Sequence, residues 1–394
     1  FNTFGTTACT FGVGGGVAEC RGAENTAEFE RQAAKTVAAI LALNPDVLAV
    51  NEIENDGYGA DSALQDLVNR LNAATAPGTY AFIDADAGTG QVNALGVDAI
   101  KVGILYKPAA VTPAGVTAAL NTGAFGQIPL NTGLTQQRNR PALAQSFESN
   151  VTGGVFTMVA NHLKSKGSAC TDQAAPYGPD PDLLDGQGNC PATRTAAAGE
   201  MLTWLAGDPT GVGDADVLIV GDLNSYAQET PITTLKTGGF TDLVASLIGP
   251  EAFSYVFDGQ SGYLDYALAS ATLVGQVTGV TEYHINADEP SVLDYNTNFK
   301  TAAQVASLYA PDQYRVSDHD PILVGLNLAP PPPVFQLTGA VVSGGVQGAP
   351  LTLRFDLASD RDAAATFTIP LPANVEFVSA TAGGSVSGGS VVWT

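Results

Sequence analysis

Five short apolar runs each meet a polar cluster at one end, and this restricts the fold more than any other feature of the chain. Residues 47–50 lead into Asn51-Glu52, residues 155–160 into Asn161-His162-Leu163-Lys164-Ser165-Lys166, and residues 217–220 into Gly221-Asp222-Leu223-Asn224. In two further runs the order reverses. Asp265 precedes Tyr266-Ala267-Leu268-Ala269, and Ser317-Asp318-His319-Asp320 precedes Pro321-Ile322-Leu323-Val324. Runs of this length fit buried strands. If the last two run antiparallel to the first three, all five clusters meet at one edge of a sheet, where ligand sites of layered α/β folds collect.

Helical periodicity separates these runs. Over residues 26–43, Phe29, Ala33, Val37 and Ile40 recur every three or four residues until Asn44-Pro45 ends the pattern. Residues 61–72 form a second amphipathic pattern through Leu64, Leu67, Val68 and Leu71, with Asp61 as the expected N-cap. A third helix is expected at 193–206, and strands at 100–105, 155–160, 216–220, 263–269 and 322–328. The alternation predicts an α/β layered domain with a mixed sheet. It ends at Pro330-Pro331-Pro332-Pro333, a stiff extended spacer that joins neither helix nor central strand. Beyond it, apolar and small polar residues alternate, as in Leu351-Thr352-Leu353-Arg354-Phe355-Asp356-Leu357, which predicts a small β-sandwich-like module. The expected organisation is a catalytic-type domain over 1–328, a linker over 329–333 and an all-β module over 334–394. That module breaks off in mid-strand by pattern, as a truncated one would, and it is a candidate for binding a surface or another domain.

Charge and cysteines narrow the setting. The formal net charge is -23, so the bulk field repels polyanions and a protein that coats nucleic acid is disfavoured. An enzyme whose active edge carries cations and metal is not disfavoured. No apolar run reaches the roughly 18 residues of a membrane span. The four cysteines fall into local pairs, Cys9 with Cys20 and Cys170 with Cys190. Disulfides there would each restrict the unfolded chain by about 3 kcal/mol. They point to an oxidising, extracellular or cell-surface location. Zinc competes weakly, because neither pair has knuckle spacing.

The residue types at the expected edge define a chemistry. Glu52, Asp222 and Asp318 are hard oxygen donors suited to Mg²⁺, Mn²⁺ or Ca²⁺. Asp222 and Asn224 can hold a water between an acceptor and a donor. His162 and His319 can move a proton near neutral pH, and Lys164 and Lys166 can meet phosphate charge. Together they suit in-line attack of water on a phosphodiester.

The segments Asn51-Glu52-Ile53-Glu54-Asn55-Asp56-Gly57, Asn161 to Gly167, Gly221-Asp222-Leu223-Asn224-Ser225, Leu264-Asp265-Tyr266 and Ser317-Asp318-His319-Asp320-Pro321 stand in an order that resembles the endonuclease/exonuclease/phosphatase (DNase I-like) superfamily, in particular its secreted bacterial nucleases. Arg21-Gly22-Ala23 and Arg138-Asn139-Arg140-Pro141 resemble the same branch. The resemblance spans about residues 1–328 and implies a four-layer sandwich of two sheets with helices outside. It implies that Glu52 binds metal, with Asp318 as a second carboxylate and Asn2, at the tail of a first strand, as a third donor. Asp222 and Asn224 would position or activate water. His319 would contact the scissile phosphate and Asp265 would orient it, while His162 would serve acid–base work or phosphate stabilisation. The implied cofactor is Mg²⁺ or Mn²⁺, with Ca²⁺ as the alternative, and the implied substrate is DNA or RNA. A phospholipid or other small phosphodiester is the competing substrate. A non-catalytic surface protein that uses the fold as scaffold is the competing class.

Other residues have plainer readings. His284 sits in no motif and reads as structural or surface. Lys101, Arg138, Arg140, Lys164, Lys166 and Arg194 could line a phosphate track, although each alone is more simply a solvated or structural cation. Asp180, Asp182 and Asp185 could bind Ca²⁺ or form a solvated acidic loop, and Tyr58 and Tyr177 are candidates for base stacking.

Overall fold

The computed structural model describes residues 1, 9–11, 16–18, 22–330, 335–344, 346–359 and 364–393, the side chains of 9–18 excepted. The expectations on Asn2, on a Cys9–Cys20 disulfide and on Arg21 lie outside the described residues. The chain forms two compact units, Phe1–Pro330 and Pro331–Thr394. No helix among the described residues is long and apolar enough to cross a membrane.

The first unit opens with a short antiparallel pair, Cys9–Phe11 with Gly16–Ala18, and continues with α1 (Thr26–Leu43), which matches the sequence pattern. Asn25 caps it by accepting from Glu28 N, and Asn44 closes it in the left-handed region at φ 52°. Then follow β1 (Val47–Glu54), α2 (Ala63–Ala74), β2 (Ala81–Phe82), β3 (Ile100–Tyr106), β4 (Val111–Leu120), β5 (Arg140–Ser149) and β6 (Val155–His162). After them come α3 (Pro191–Leu205), β7 (Val217–Asp222), α4 (Thr230–Thr237), β8 (Thr241–Asp242), β9 (Tyr255–Phe257), β10 (Gln260–Gly262), β11 (Asp265–Ala269), β12 (Val277–Glu282) and β13 (Ile322–Leu326). One expectation needs correcting. The N-cap of α2 is Ser62, not Asp61, because the Ser62 hydroxyl accepts from Gln65 N while the Asp56 carboxylate takes Ala63 N.

Six strands form one sheet in the order β8-β11-β7-β6-β5-β4, while β1, β3 and β2 form a second and β12 pairs with β13. Side chains on β6 alternate between the two faces of the larger sheet. Phe156, Met158 and Ala160 face a core shared with Val102, Ile104, Val324 and Leu326. Val159 faces the opposite core, where Ala197 and Met201 of α3 and Ile232 and Leu235 of α4 cover the sheet with Ile219 and Leu268. On the far side, α1 and α2 place Ile40, Leu64, Leu67, Val68 and Leu71 against Ile53 and Leu105. Leu64, Leu67 and Leu71 are completely buried, each worth about 1.5–3 kcal/mol over exposure. The layers are therefore helix, sheet, sheet, helix.

The expectation of one common sheet edge is only half met. β6 and β7 are parallel, and β11 is antiparallel to β7, so the clusters after β6 and β7 and the one before β11 do share an edge. Glu52 and Asp318-His319 arrive from the other layer, on β1 and before β13.

The second unit, described by itself, contains a hairpin of Phe335–Ser343 with Thr352–Ser359 and a three-stranded antiparallel sheet of Phe367–Pro370, Ser390–Trp393 and Ser385–Ser387. Phe367 packs on Phe355 of the hairpin and on Trp393, at 5.6 and 5.5 Å between ring centres.

Candidate active site

Strand register assembles the centre of the site. His162, the last residue of β6, stands opposite Asp222, the last of β7, and Asp222 stands opposite Asp265, the first of β11. His162 Nε2 lies 3.6 Å from Asp222 Oδ2 and 3.8 Å from Glu52 Oε1. Glu52 reaches this row from the facing sheet through a break in the β1–β3 register between Val50 and Ile53. Its backbone is left-handed, φ 56°, a conformation costly for a non-glycine residue, and its side chain is 58% exposed. Bulges and such strain recur where a strand must aim a functional side chain.

Asn224 is held by the turn after β7, also left-handed at φ 49°. Its backbone N–H donates to Asp222 Oδ1 at 2.7 Å, and its amide donates to Asp222 Oδ2 at 2.8 Å and to Leu163 O at 3.1 Å. Asp222 is buried. Burial pushes its pKa up to about 7, the neighbouring Asp265 adds to the rise, and His319 opposes it.

His319 completes the centre. Its Nδ1 donates to Asp265 Oδ2 at 2.7 Å. Burial alone would lower its pKa, but the charge of Asp265 and the hydrogen bond to it, with Asp222 and Asp318 behind, hold the ring at about 10. The imidazolium therefore persists through neutral pH. Ser254, unremarked in the sequence, fixes the other partner of the same oxygen: its hydroxyl donates to Asp265 Oδ2 at 2.7 Å. The loop carrying Asp318 and His319 is tied down by Asp320, which accepts from the backbone N–H groups of Ile285, Asn286 and Ala287, and by Asn286, whose amide donates to His319 O at 2.7 Å. His284 pairs with Asp320 at 2.9 Å and stacks on Phe253, the structural role expected of it.

An aromatic hairpin flanks His319. β9 and β10 turn at Asp258-Gly259, both at positive φ, as a two-residue hairpin requires. Tyr255 lies 4.5 Å from the His319 ring and bridges to its backbone. Burial raises the Tyr255 hydroxyl pKa, and Asp318, Tyr226 and Asp222 raise it further, which places it among the site carboxylates. The Asp-Gly dipeptide between Tyr255-Val256-Phe257 and Gln260-Ser261-Gly262 was the sequence signal for this hairpin.

The expected phosphate track is not assembled. Lys101 and Arg194 are fully buried. Lys101 donates to Gly57 O, and burial pulls its pKa down to about 8. Arg194 donates to Ser225 Oγ and to the carbonyls of Lys164, Asn189 and Gln187. Arg138 pairs with Asp172, Arg140 with Asp98 and Lys166 with Glu229. Lys164 is buried, with its ammonium on Ser165 O and Ser168 Oγ, while Asn139 accepts from Lys164 N and so braces the segment after His162. Coulomb attraction to nearby carboxylates and backbone carbonyls has claimed these cations.

Neither tyrosine is a free stacking surface. Tyr58 packs on Phe82 and on Lys101, and Tyr177 packs against the core while its hydroxyl donates to Glu200. The acidic loop is no cation cage either. Asp180 is buried and accepts from Ala192 N and Thr193 N at the start of α3, while Asp182 and Asp185 cap their own turns. Cys170 and Cys190 form a disulfide around this loop.

Asp222, Asp265 and His319 bring candidate ligand atoms within 4.8 Å of one another; while the His319 ring is protonated, the two carboxylates are the donors among them. Glu52 and Asp318 stand outside that group but line the same cavity, about 1310 Å³, as Asp265 and His319. The donor set fits a divalent cation, because it is rich in carboxylate oxygens: Asp222 and Asp265 lie close together and Glu52 and Asp318 line the adjoining cavity.

Similar solved structures include a mannosyl-6-phosphatase from Bacteroides thetaiotaomicron (13% identity over 76% of this chain and 92% of that one, TM-score 0.47). Others are the human Nocturnin catalytic domain (17%, 64% and 77%, 0.39) and a humanized D. rerio TDP2 (15%, 76% and 92%, 0.44). No curated protein matches. A model of the endonuclease/exonuclease/phosphatase family, whose members hydrolyse phosphoesters, matches residues 9–319, and the chain belongs to that family.

Proposed function

We propose that the protein is a secreted, divalent-metal-dependent phosphodiesterase whose substrate is nucleic acid. One observation carries this reading. A histidine kept cationic by Asp265 sits beside a buried aspartate poised near neutrality, in a cleft that Glu52 and Asp318 also line. Phosphodiester hydrolysis needs that division of labour. Asp222, aligned by Asn224, takes a proton from the attacking water. His319 meets the charge that develops on a phosphate oxygen, and Asp265 with Ser254 fixes its ring. His162 lies beside both Asp222 and Glu52.

Glu52 and Asp318 are the carboxylates best placed to hold Mg²⁺ or Mn²⁺, since neither makes a side-chain hydrogen bond among the described residues. Asp222 and Asp265, by contrast, are engaged by Asn224, Ser254 and His319. When bound, the ion supplies charge neutralisation at the phosphate. The Cys170–Cys190 disulfide supports secretion. Finding both thiols reduced in protein taken from its native compartment would overturn that point.

A second reading, a phosphoesterase of small substrates, is favoured by the pairing of Arg138, Arg140 and Lys166 with carboxylates, which weakens recruitment of a polyanion. Plasmid DNA and a generic phosphodiester, each with Mg²⁺ and with EDTA, separate the two. EDTA-sensitive cleavage of both is expected. Diester turnover with intact DNA selects the second reading, and no turnover of either refutes both.

A further inference from the structure

The hairpin beside His319 ends in an aromatic ring that the core does not use. Phe257 is 64% exposed, yet it lies near-parallel to Tyr255, at 13° and 6.4 Å between ring centres. Tyr255 in turn packs on His319 at 4.5 Å. Tyr255 thus neighbours both the His319 ring and the exposed ring of Phe257. The hairpin is rigid enough to hold them. Its two-residue turn fixes Phe257 opposite Gln260, and its return strand lies so close to Tyr226 that a Cβ on Gly262 would sit 2.8 Å from that ring. An exposed phenylalanine on a braced hairpin that packs against His319 is placed to meet whatever planar group a phosphate bound at His319 carries.

We propose that Tyr255 and Phe257 form a stacking platform for the nucleobase of the nucleotide whose phosphate lies at His319. This rests on the phosphodiesterase reading and specifies its substrate. Recognition by stacking is tolerant of base identity, because every base has a π-face. The hairpin carries no cation for a sugar phosphate, its one charge being the Asp258 carboxylate at the turn, so the platform distinguishes nucleotide esters from phosphoesters of sugars or lipids rather than one base from another.

The test compares kcat/KM for a dinucleotide and for the same diester with an abasic residue in place of one nucleoside. The wild-type enzyme is expected to favour the dinucleotide by roughly tenfold, toward the low end of what one stacked base contributes. In Phe257→Ala the ratio should fall to near one, mainly through KM, and Phe257→Trp should restore it. A wild-type ratio near one, or a ratio unchanged in Phe257→Ala, overturns the platform while leaving phosphodiester cleavage intact. Turnover of neither substrate refutes the underlying activity instead. Calorimetry then decides the platform separately. A nucleoside 5′-monophosphate should bind about tenfold tighter than ribose 5-phosphate to the wild type and equally to Phe257→Ala. Equal binding to the wild type refutes it.

Discussion

Replacing Asp265 by Asn keeps the shape of the His319 pair and removes its charge. The wild-type ring holds its proton to about pH 10, against an ordinary value of 6.5. At pH 8 about 99% of wild-type molecules therefore carry the imidazolium. Without the Asp265 carboxylate, burial is opposed only by Asp222 and Asp318, and the ring should fall to 6.5 or below. About 3% or less then stays protonated at pH 8, a loss of about 30-fold from population alone. Removing a donor from a transition-state oxyanion costs roughly 100- to 1000-fold, which sets the upper bound. The assay is kcat/KM on a generic diester with Mg²⁺ from pH 6 to 9, with the ring titration followed by NMR in metal-free protein. The deficit should be largest at pH 8 to 9 and shrink toward pH 6. The stability effect has the matching sign. A raised histidine pKa stabilises the fold fully below pH 6.5, and that contribution fades as pH climbs through about 10, so the two proteins should converge in stability at high pH. Activity within threefold of wild type at pH 8, or a deficit that is flat with pH, would refute the reasoning.

Ser254→Ala should leave Asp265 Oδ2 with one hydrogen bond instead of two, costing about 1–3 kcal/mol of stability in a urea melt and at least tenfold in kcat at unchanged KM. Glu52→Gln should lower Mg²⁺-dependent turnover by at least about 100-fold while shifting stability by no more than about 0.5 kcal/mol, since the side chain is mostly solvated; a thermal melt and a metal titration check both halves. Arg194→Met breaks a completely buried charge network and should cost about 3–5 kcal/mol in denaturant unfolding. Reducing the Cys170–Cys190 bridge, which closes a separation of 20 residues, should lower stability by about 3 kcal/mol, measured with and without reductant.

The sequence carried the fold where local and tertiary forces agree. α1 was legible to its ends because Asn25, the apolar stripe and Asn44-Pro45 all mark the same limits. Glu52, His162, Asp222, Asn224, Asp265 and His319 were legible because each abuts an apolar strand. The grouping of His162, Asp222 and Asp265 depends on strand direction, which the reversed order before β11 revealed. The resemblance implied two sheets, but which strands fall in which was not legible from the apolar runs, since pairing partners leave no mark on a single strand. The surface cations were misjudged for a similar reason. Arg138 and Asp172, or Lys166 and Glu229, are far apart in the chain, and nothing local announces that they neutralise one another. Ser254 is a lone serine in sequence and gains meaning only when β9 is laid beside Asp265 and His319.

The central claim is that distant loops gather around one cation able to grip a phosphate. A crystal grown with Mn²⁺ and measured for anomalous scattering tests it most directly. A peak is expected in the cleft, bonded to a Glu52 oxygen and beside the Asp222–Asp265–His319 group, and absent from Glu52→Gln crystals. A cleft without a peak at saturating Mn²⁺, or one that persists in Glu52→Gln, would contradict it.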